Sequence, residues 1–315
     1  MTWNPAHLPD QNGRTLVVTG ATAGIGYFAA EQLAGAGADV VLASRSASKL
    51  ERAAASIRDQ VPGASVRSVV VDLASLESID RAADTLRSLP RLDGLLLNGG
   101  AMTLTKARGA TTQDGLPLLL GTHVVSTVRL LAGILPALVA SAETHAATGR
   151  IVHTSTGFVS RFPADVSDPA RVPRLAISAY TKAKTVTEVF AFELDRRLRA
   201  NEMPVASLVA RPGVGVDAKT PERAGIRDST TPYQRNPYTP WAQGKDTAAW
   251  SSVRALTDSQ AEGGEYYSPT GALRGQPVRI TPLARTHDPD PETAASVWAQ
   301  LEDLAGVTIP VPALR

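Results

Sequence analysis

The sequence of 315 residues predicts an α/β fold built on a single, doubly wound parallel sheet. Short β-branched runs alternate with longer stretches rich in alanine and leucine, a pattern typical of β-α-β units around a buried sheet. A hydrophobic content of 43% is enough for a large core. The sequence contains no internal repeat and no low-complexity linker. We therefore predict one domain over residues 1–315 rather than two smaller ones.

About seven strands and seven main helices follow from the alternation. The predicted strands are residues 15–19, 39–43, 65–71, 94–97, 150–154, 204–209 and 264–267. The predicted helices are residues 26–36, 48–60, 76–88, 116–140, 179–199, 247–256 and 291–304. Residues 1–13 are polar, contain two prolines and are interpreted as an N-terminal extension.

Two segments interrupt the alternation, residues 158–177 and 214–246. Both are rich in proline, arginine and short polar residues, which predicts loops near the carboxyl ends of strands. Ligands bind at that edge of an open α/β sheet. We expect residues 214–246 to cover a substrate.

Composition excludes several classes of protein. The absence of cysteine rules out disulfides, thiolate catalysis and cysteine-bound zinc, and the five histidines form no helical metal pair, so no metal site is predicted. A net charge of +2 with scattered arginines gives no indication of nucleic-acid binding. The most apolar stretch, 116–140, is interrupted by His123 and Arg129, so we predict no membrane span. Without an apolar signal sequence, a cytoplasmic location is expected.

The chain turns tightly where the first strand ends. The sequence there reads Thr19-Gly20-Ala21-Thr22-Ala23-Gly24-Ile25-Gly26 and continues into a helix. Glycines allow the backbone to turn and to approach a pyrophosphate, while the helix N-terminus offers free N–H groups and a positive dipole. The alternative is a plain tight connection. The candidate cofactor contacts in this turn are Gly20, Thr22, Ala23, Gly24, Ile25 and Gly26.

A second motif, Tyr180-Thr181-Lys182-Ala183-Lys184, lies in a predicted helix and follows the fifth strand. Residues four apart are neighbours on one helix face, so Tyr180 and Lys184 are predicted to lie close together. A nearby ammonium stabilises a phenolate and lowers the pKa of the phenol toward the working range. Tyr180 is therefore predicted to exchange a proton with a carbonyl or alcohol oxygen.

Together these motifs resemble the short-chain dehydrogenase/reductase family, with the resemblance running from residue 15 to about residue 306. It implies a Rossmann-type fold and hydride transfer with a nicotinamide dinucleotide. Gly264-Glu265-Tyr266-Tyr267-Ser268 and the helix around Trp298 look most like the retinol-dehydrogenase-like branch, which implies an apolar ketone, aldehyde or alcohol as substrate. Family members often form homo-oligomers through the helices matching 116–140 and 179–199; the alternative is that these helices only pack the sheet.

The resemblance also assigns further cofactor contacts. Ser44 and Arg45 stand where an NAD-preferring relative carries an acid, so Arg45 is expected to bind a 2′-phosphate and NADP(H) is predicted. The alternative is that Arg45 merely precedes a helix capped by Ser46 or Ser48. Tyr180 and Lys184 would contact the cofactor too, and the other expected contacts are Asp72, Leu73, Asn98, Gly99, Gly100, Pro212, Gly213 and Val214. For Asp72, helix capping is an equally good interpretation.

Four positions depart from the family pattern. Thr156 stands in place of the catalytic serine, preceded by Ser155, and keeps a hydroxyl that can orient a carbonyl; the alternative is a strand end that satisfies its own backbone. His123 replaces an asparagine, and either relays a proton or is a core histidine. Leu97 replaces another asparagine. Asp217 replaces a threonine, and its carboxylate either faces cofactor phosphate or solvent.

Three functions remain open from the sequence. The first is hydride transfer between NADP(H) and an apolar carbonyl or alcohol, with Tyr180, Lys184 and Thr156 as the reacting group. The second is a tailoring enzyme of the same fold that catalyses dehydration, isomerisation or cyclisation. The third is a dinucleotide sensor without turnover, for which the Tyr180–Lys184 pair has no evident use.

Overall fold

The computed structural model describes residues 3–101, 109–232 and 236–313. Its described strands form one sheet with the order β3-β2-β1-β4-β5-β6-β7-β8, in which only β8 runs antiparallel to its neighbour. The strands are β1 (Thr15–Thr19), β2 (Asp39–Ser44), β3 (Val66–Val70), β4 (Gly94–Leu97), β5 (Gly149–Thr154), β6 (Val205–Ala210), β7 (Tyr266–Pro269) and β8 (Pro277–Ile280). The predicted fold class is confirmed.

The predicted number of strands was one too low, because β8 was missed. This strand has four residues, begins with a proline and lies at the edge of the sheet, where only one side is paired. A short, partly exposed edge strand gives little hydrophobic pattern in the sequence.

Helices cover both faces of the sheet. They are α1 (Gly24–Gly35), α2 (Ala47–Gln60), α3 (Leu76–Arg87), α4 (Leu118–Leu120), α5 (Ser126–Thr144), α6 (Phe158–Arg161), α7 (Ala176–Ala200), α8 (Lys245–Ala248), α9 (Trp250–Thr257), α10 (Ala284–His287) and α11 (Pro291–Ala305). A π-helical turn, Gly121–Val125, joins α4 to α5. Two predictions are corrected here: 116–140 is not one regular α-helix, and the expected loop 158–177 begins with the short helix α6.

Side chains from each strand alternate between two cores. In β1, Leu16 and Val18 pack with α1, α2 and α9, while Val17 faces α3, α5 and α7 on the other side. All three are fully buried. Because β1, β4 and β5 are parallel neighbours, their carboxyl ends lie side by side at one edge, where the candidate site lies.

The long helices α5 and α7 are covered by α11 of the same chain. The Trp298 ring stacks on Phe190 of α7 at 5.2 Å between centroids, and the Arg197 guanidinium lies 4.0 Å over the same indole. Arg129 of α5 donates to the carbonyl of Ala305 at 2.7 Å. The surface that the resemblance suggested for a homo-oligomer is thus occupied in part by α11.

The stretch Leu118–Thr144 is, within the described ranges, the one helix long and apolar enough to cross a membrane, with a mean hydropathy of 1.8. Just over half of its apolar window, 56%, is buried inside the protein, where it packs against α3. A core helix passes the same test of length and composition, so the finding is weak support for a span.

The segment 214–246 lies along the cofactor side of the fold in the residues that are described. Arg223 forms an ion pair of 2.7 Å with Glu31 of α1, and its guanidinium lies 5.5 Å over the Phe28 ring. Gln32 donates to the carbonyl of Asp246 at 2.8 Å. These contacts hold the segment to α1, so at least part of it covers the glycine turn rather than only a substrate.

The predicted N-terminal extension packs onto the domain from residue 3 onward. The indole N–H of Trp3 donates to Thr257 Oγ1 at 3.0 Å, and the backbone N–H of Gln11 donates to the backbone carbonyl of Ala36 at 2.8 Å. Trp3 is accordingly part of the core on the α9 side.

Candidate active site

The glycine turn has the geometry that a pyrophosphate requires. Gly20 and Gly24 have φ values of +67° and +59°, which favour glycine. A Cβ on Gly26 would lie 2.4 Å from the carbonyl oxygen of Gly20, so no larger residue fits there. Ala23, the N-cap of α1, offers no side-chain acceptor to the first turn. The N–H groups there are left to meet an anion.

Thr19 fastens the glycine turn to the end of β4. Its Oγ1 accepts hydrogen bonds from the backbone N–H groups of Asn98 at 3.0 Å and Gly99 at 2.9 Å. A Cβ on Gly99 would lie 2.7 Å from Leu73 Cδ1, which explains the glycine. Leu97 ends β4 inside the core, so its side chain serves packing. No local pattern predicted the role of Thr19, because its partners lie 79 and 80 residues away in the chain.

The side predicted to bind adenosine is partly open to solvent. Ser44 Oγ lies 3.3 Å from Thr22 Oγ1, while Arg45 is exposed. Ser46 caps α2, as one alternative held.

Asp72 does not cap a helix, which corrects one of the two interpretations offered for it. Its Oδ1 accepts from the Ala74 N–H at 3.0 Å, and Ser75 provides the cap of α3. The Asp114 carboxylate accepts from the Leu76 N–H at 2.9 Å at the same helix end.

The Pro212-Gly213-Val214 turn is held from two sides. Gly213 has a φ of +71°, and a Cβ there would lie 2.4 Å from the Leu273 carbonyl oxygen, which also accepts from the Val214 N–H at 2.9 Å. The buried side chain of Gln243 donates to the Pro212 carbonyl at 2.8 Å. Gln243 was not predicted, since its partner lies 31 residues away in the chain.

Asp217 is paired with Lys245, which the sequence did not identify. The carboxylate Oδ1 lies 2.5 Å from Lys245 Nζ and 4.0 Å from Arg227 Nε. A Cβ on Gly24 would lie 3.7 Å from Lys245 Cδ, so the lysine stem runs beside the glycine turn. The negative charge of Asp217 is therefore compensated by a neighbouring cation, and it does not stand alone against a phosphate.

Tyr180 lies in the first turns of α7, among aromatic and hydroxyl groups. The His123 ring centroid is 5.6 Å from the Tyr180 ring and that of Phe158 is 6.5 Å away, both edge-on. Burial raises the pKa of Tyr180 to about 12, and the nearby Thr156 hydroxyl opposes this rise. Thr156, at the predicted position of the family serine, thus lies close to the predicted acid/base.

Lys184 is buried one turn further along α7. Its Nζ donates to the carbonyl of Thr154 at 2.6 Å. Burial lowers the pKa of Lys184 to about 7, while the negative charge of Glu188 opposes this shift. The lysine is therefore poised between its charged and neutral forms near neutral pH.

The Ser155 side chain is directed toward Glu188 rather than toward Tyr180. Its Oγ donates to Glu188 Oε1 at 2.5 Å, and its side chain is buried. Of the two hydroxyls named from the sequence, that of Thr156 is the one close to Tyr180. We place Ser155 outside the group that touches substrate.

His123 is a buried residue of the π-helical turn. Its Nε2 lies 3.0 Å from the carbonyl oxygen of Ala101, and its Nδ1 has no hydrogen-bond partner among the described residues. Burial and the charge of Lys184 lower its pKa to about 3. A Cβ on Gly100 would lie 2.0 Å from the ring, so glycine is required beside it. A neutral ring in this position favours the core interpretation over a proton relay.

Known families and structures were compared with this chain. A family model described as short chain dehydrogenase matches residues 14–221. The chain belongs to the short-chain dehydrogenase/reductase family. Mouse polyprenol dehydrogenase is 32% identical over 96% of this chain and 87% of its own length. Human retinol dehydrogenase 13 is 31% identical over 95% of this chain and 86% of its own length. The retinol-dehydrogenase-like branch is thereby confirmed.

Solved structures share the fold. An uncharacterized protein from Mycobacterium paratuberculosis superposes with a TM-score of 0.77 over 99% of this chain and 100% of its own, at 28% identity. L-Sorbose reductase from Gluconobacter frateurii, complexed with NADPH and L-sorbose, gives a TM-score of 0.62 over 84% of this chain and 97% of its own, at 21% identity.

This short-chain dehydrogenase/reductase is an oxidoreductase that acts on CH–OH groups, and its fold binds a nicotinamide dinucleotide. The residues present fit such a cofactor: an uncapped helix N-terminus follows a glycine turn that side chains would fill, and a cation lies beside it. Thr156 follows β5, and Tyr180 and Lys184 of α7 lie close to the end of that strand.

Proposed function

We propose that this enzyme transfers hydride between NADP(H) and an apolar ketone, aldehyde or alcohol. One observation carries the proposal. The Tyr180 phenol, near the Thr156 hydroxyl and one helical turn from buried Lys184, lies beside a cradle suited to a dinucleotide. This combination serves acid/base chemistry and has no evident structural purpose.

The chain's own residues supply the proton and orient the substrate. The bound nicotinamide would give or accept the hydride at the substrate carbon. In reduction, Tyr180 gives its proton to the carbonyl oxygen while the Thr156 hydroxyl donates a hydrogen bond to the same oxygen. The protonated Lys184 stabilises the phenolate that remains. In oxidation, the same phenolate takes the proton of the alcohol.

Two basic residues support dinucleotide binding, and one of them, Arg45, supports the preference for NADP(H). Arg45 follows Ser44 at the end of β2, exposed and beside the glycine turn, where a 2′-phosphate needs a charge-assisted partner. Lys245 lies near Gly24, where the pyrophosphate of either dinucleotide would be held. Arg45 is therefore the proposed source of specificity, and Lys245 of affinity.

Aromatic and aliphatic side chains support an apolar substrate. Phe158 packs against the Tyr180 ring, and the flanking segments expose Phe162, Leu175 and Trp241, whose relative exposures are 47%, 66% and 59%. Exposed large apolar residues in loops at the ligand-binding edge are a feature of sites for lipophilic ligands. The names of the relatives, polyprenol dehydrogenase and retinol dehydrogenase 13, agree with such a substrate class.

One assay series tests the proposal. The protein is titrated with NADPH and with NADH by fluorescence, and cofactor absorbance is then followed with a panel of apolar aldehydes, ketones and alcohols. The proposal predicts tighter binding of NADPH and turnover of at least one class. Binding of NADPH without any redox turnover would favour the tailoring or sensor functions, and binding of neither cofactor would contradict all three.

A further inference from the structure

Three consecutive residues at the end of β5 lie beside three successive turns of α7. The Thr156 hydroxyl lies close to Tyr180, the Thr154 carbonyl accepts from Lys184 Nζ at 2.6 Å, and Ser155 Oγ donates to Glu188 at 2.5 Å. The reacting pair is therefore extended by a third residue, Glu188, four positions beyond Lys184. No motif in the sequence singled out this glutamate.

Glu188 is held in a form that accepts hydrogen bonds. Its side chain is completely buried, and its Oε1 accepts from both Ser155 Oγ and the Tyr266 hydroxyl, the latter at 2.8 Å. Burial raises the pKa of Glu188, while the hydrogen bonds from Ser155 and Tyr266 oppose this rise and favour the carboxylate. Oε2 has no partner among the described residues. Burying such a group is costly unless a positive charge lies near it.

Lys184 is a buried group whose positive charge requires a negative charge nearby. It is 3% exposed, and the one hydrogen-bond acceptor described for its Nζ is the neutral Thr154 carbonyl. A lysine buried without a counter-charge loses its proton easily, and a neutral amine no longer stabilises the Tyr180 phenolate. The negative charge of Glu188 acts against this loss.

We propose that Glu188 is a positioning residue for the reaction, whose carboxylate, fixed by Ser155 and Tyr266, keeps Lys184 charged and thereby keeps Tyr180 able to exchange its proton. The role deepens the proposed oxidoreductase function and rests on it for its effect on turnover. Its effect on Lys184 is a property of the protein itself.

Other ionisable groups face this pair from several elements. His123 from the π-helical turn and His153 from β5 both have a pKa lowered to about 3, so both are neutral near pH 7. The pKa of Tyr266 on β7 is raised by burial, so it too is neutral. Arg211, after β6, adds a positive charge that favours the carboxylate form of Glu188. Glu188 is thus the negative group among those that face Lys184.

The test compares Glu188→Gln with Glu193→Gln. Glu193 is also buried on α7, but it pairs with Arg196 and Arg197 and lies nine residues from Lys184. Each protein is labelled with 15N-lysine, and the Nζ resonance of Lys184, assigned from the spectrum of Lys184→Arg, is followed against pH. The chain contains only six lysines, so the resonance is resolvable.

We expect Glu188→Gln to lower the Lys184 pKa by about one unit, a tenfold loss of proton affinity, and Glu193→Gln to leave it unchanged. In alcohol oxidation, turnover rises with pH. The pH midpoint of this rise is expected to be higher in Glu188→Gln than in the wild type and unchanged in Glu193→Gln. If Glu188→Gln fails to fold, Ser155→Ala removes one donor to the carboxylate and shifts Lys184 in the same direction.

An unchanged Lys184 pKa in Glu188→Gln and in Ser155→Ala would overturn the role of Glu188, even in an active enzyme. Absence of turnover in the wild-type protein would instead contradict the proposed function, while the titration of Lys184 would still decide the role of Glu188. The two failures are therefore distinguishable.

Discussion

Burial acts in opposite directions on the two residues at the centre of the site. It raises the pKa of Tyr180 to about 12 and lowers that of Lys184 to about 7. A neutral phenol and a readily deprotonated ammonium are thus placed one helical turn apart. Small changes in charge nearby decide which of them holds a proton, which is the condition that acid/base catalysis requires.

Arg45→Ala tests the choice of cofactor. Loss of a charge-assisted contact with the 2′-phosphate is expected to weaken NADPH binding by about tenfold to a hundredfold and to leave NADH binding unchanged. Fluorescence titration measures both affinities. Arg67→Ala, at an exposed arginine paired with Asp39, serves as the control. An equal loss for both cofactors would show that Arg45 does not read the 2′-phosphate.

Lys245→Met tests the residue beside the glycine turn. Because the pyrophosphate is common to both dinucleotides, the substitution is expected to weaken NADPH and NADH alike and to reduce the salt dependence of binding. Lys219→Met is the matched control, since Lys219 lies in the same segment and donates only to the Ala242 carbonyl within the described structure. Unaltered affinities in Lys245→Met would exclude a role in binding.

Among single residues, those in local motifs were predictable from the sequence, and those whose partners lie far away in the chain were not. The glycine turn and the Tyr180–Lys184 pair are short patterns whose spacing fixes their geometry. Thr19, Gln243 and Lys245 act on residues far away in the chain, so no local pattern marks them. Ser155 and Thr156 look equivalent in the sequence, yet they lie beside different turns of α7.

At the scale of elements, α11 determines which surfaces of α5 and α7 are free. The Trp298 ring stacks on Phe190 of α7, so this part of α7 is covered by the same chain. The sequence predicted α11 correctly as a helix, but its packing partners follow only from the fold. The π-helical turn was not predicted either, because such turns are rare and the apolar stretch 116–140 was interpreted as one continuous α-helix.

Trp298→Ala tests the importance of this packing. Removing a buried indole is expected to lower the free energy of unfolding by about 3–5 kcal/mol. Trp241→Ala is the control, because Trp241 is 59% exposed and its removal should change stability little. Chemical denaturation measures both. Similar midpoints for the two variants would contradict the packing described for α11.

For the whole molecule, two buried histidines predict sensitivity to acid. The pKa values of His123 and His153 are about 3 in the folded state against 6.5 in the unfolded chain. Between these values the unfolded chain binds more protons, so the free energy of unfolding decreases by about 1.4 kcal/mol for each unit by which the pH is lowered, for each histidine. Stability is then lost progressively from about pH 6.5 downward.

His153→Leu should reduce this acid dependence by about half, because one of the two titrating groups is removed. Denaturant midpoints measured from neutral to acidic pH provide the test. The exposed His145 gives a control, since His145→Gln leaves the buried pair intact. A slope in His153→Leu equal to that of the wild type would refute the assignment.

The fold class and most element positions followed from hydrophobic periodicity over the whole chain, while the edge strand β8 did not, because its four residues carry little pattern. The segment 214–246 was recognised as irregular, but its attachment to α1 through Arg223 and Glu31 depends on charges 192 residues apart. Such pairings are properties of the assembled molecule.

The central claim is that Tyr180 exchanges the proton that accompanies hydride transfer. The most direct measurement is turnover of NADPH with an apolar carbonyl substrate by Tyr180→Phe, alongside the affinity of the variant for NADPH. We predict that the cofactor still binds and that turnover falls by about a hundredfold to ten-thousandfold. Full turnover in Tyr180→Phe would contradict the account.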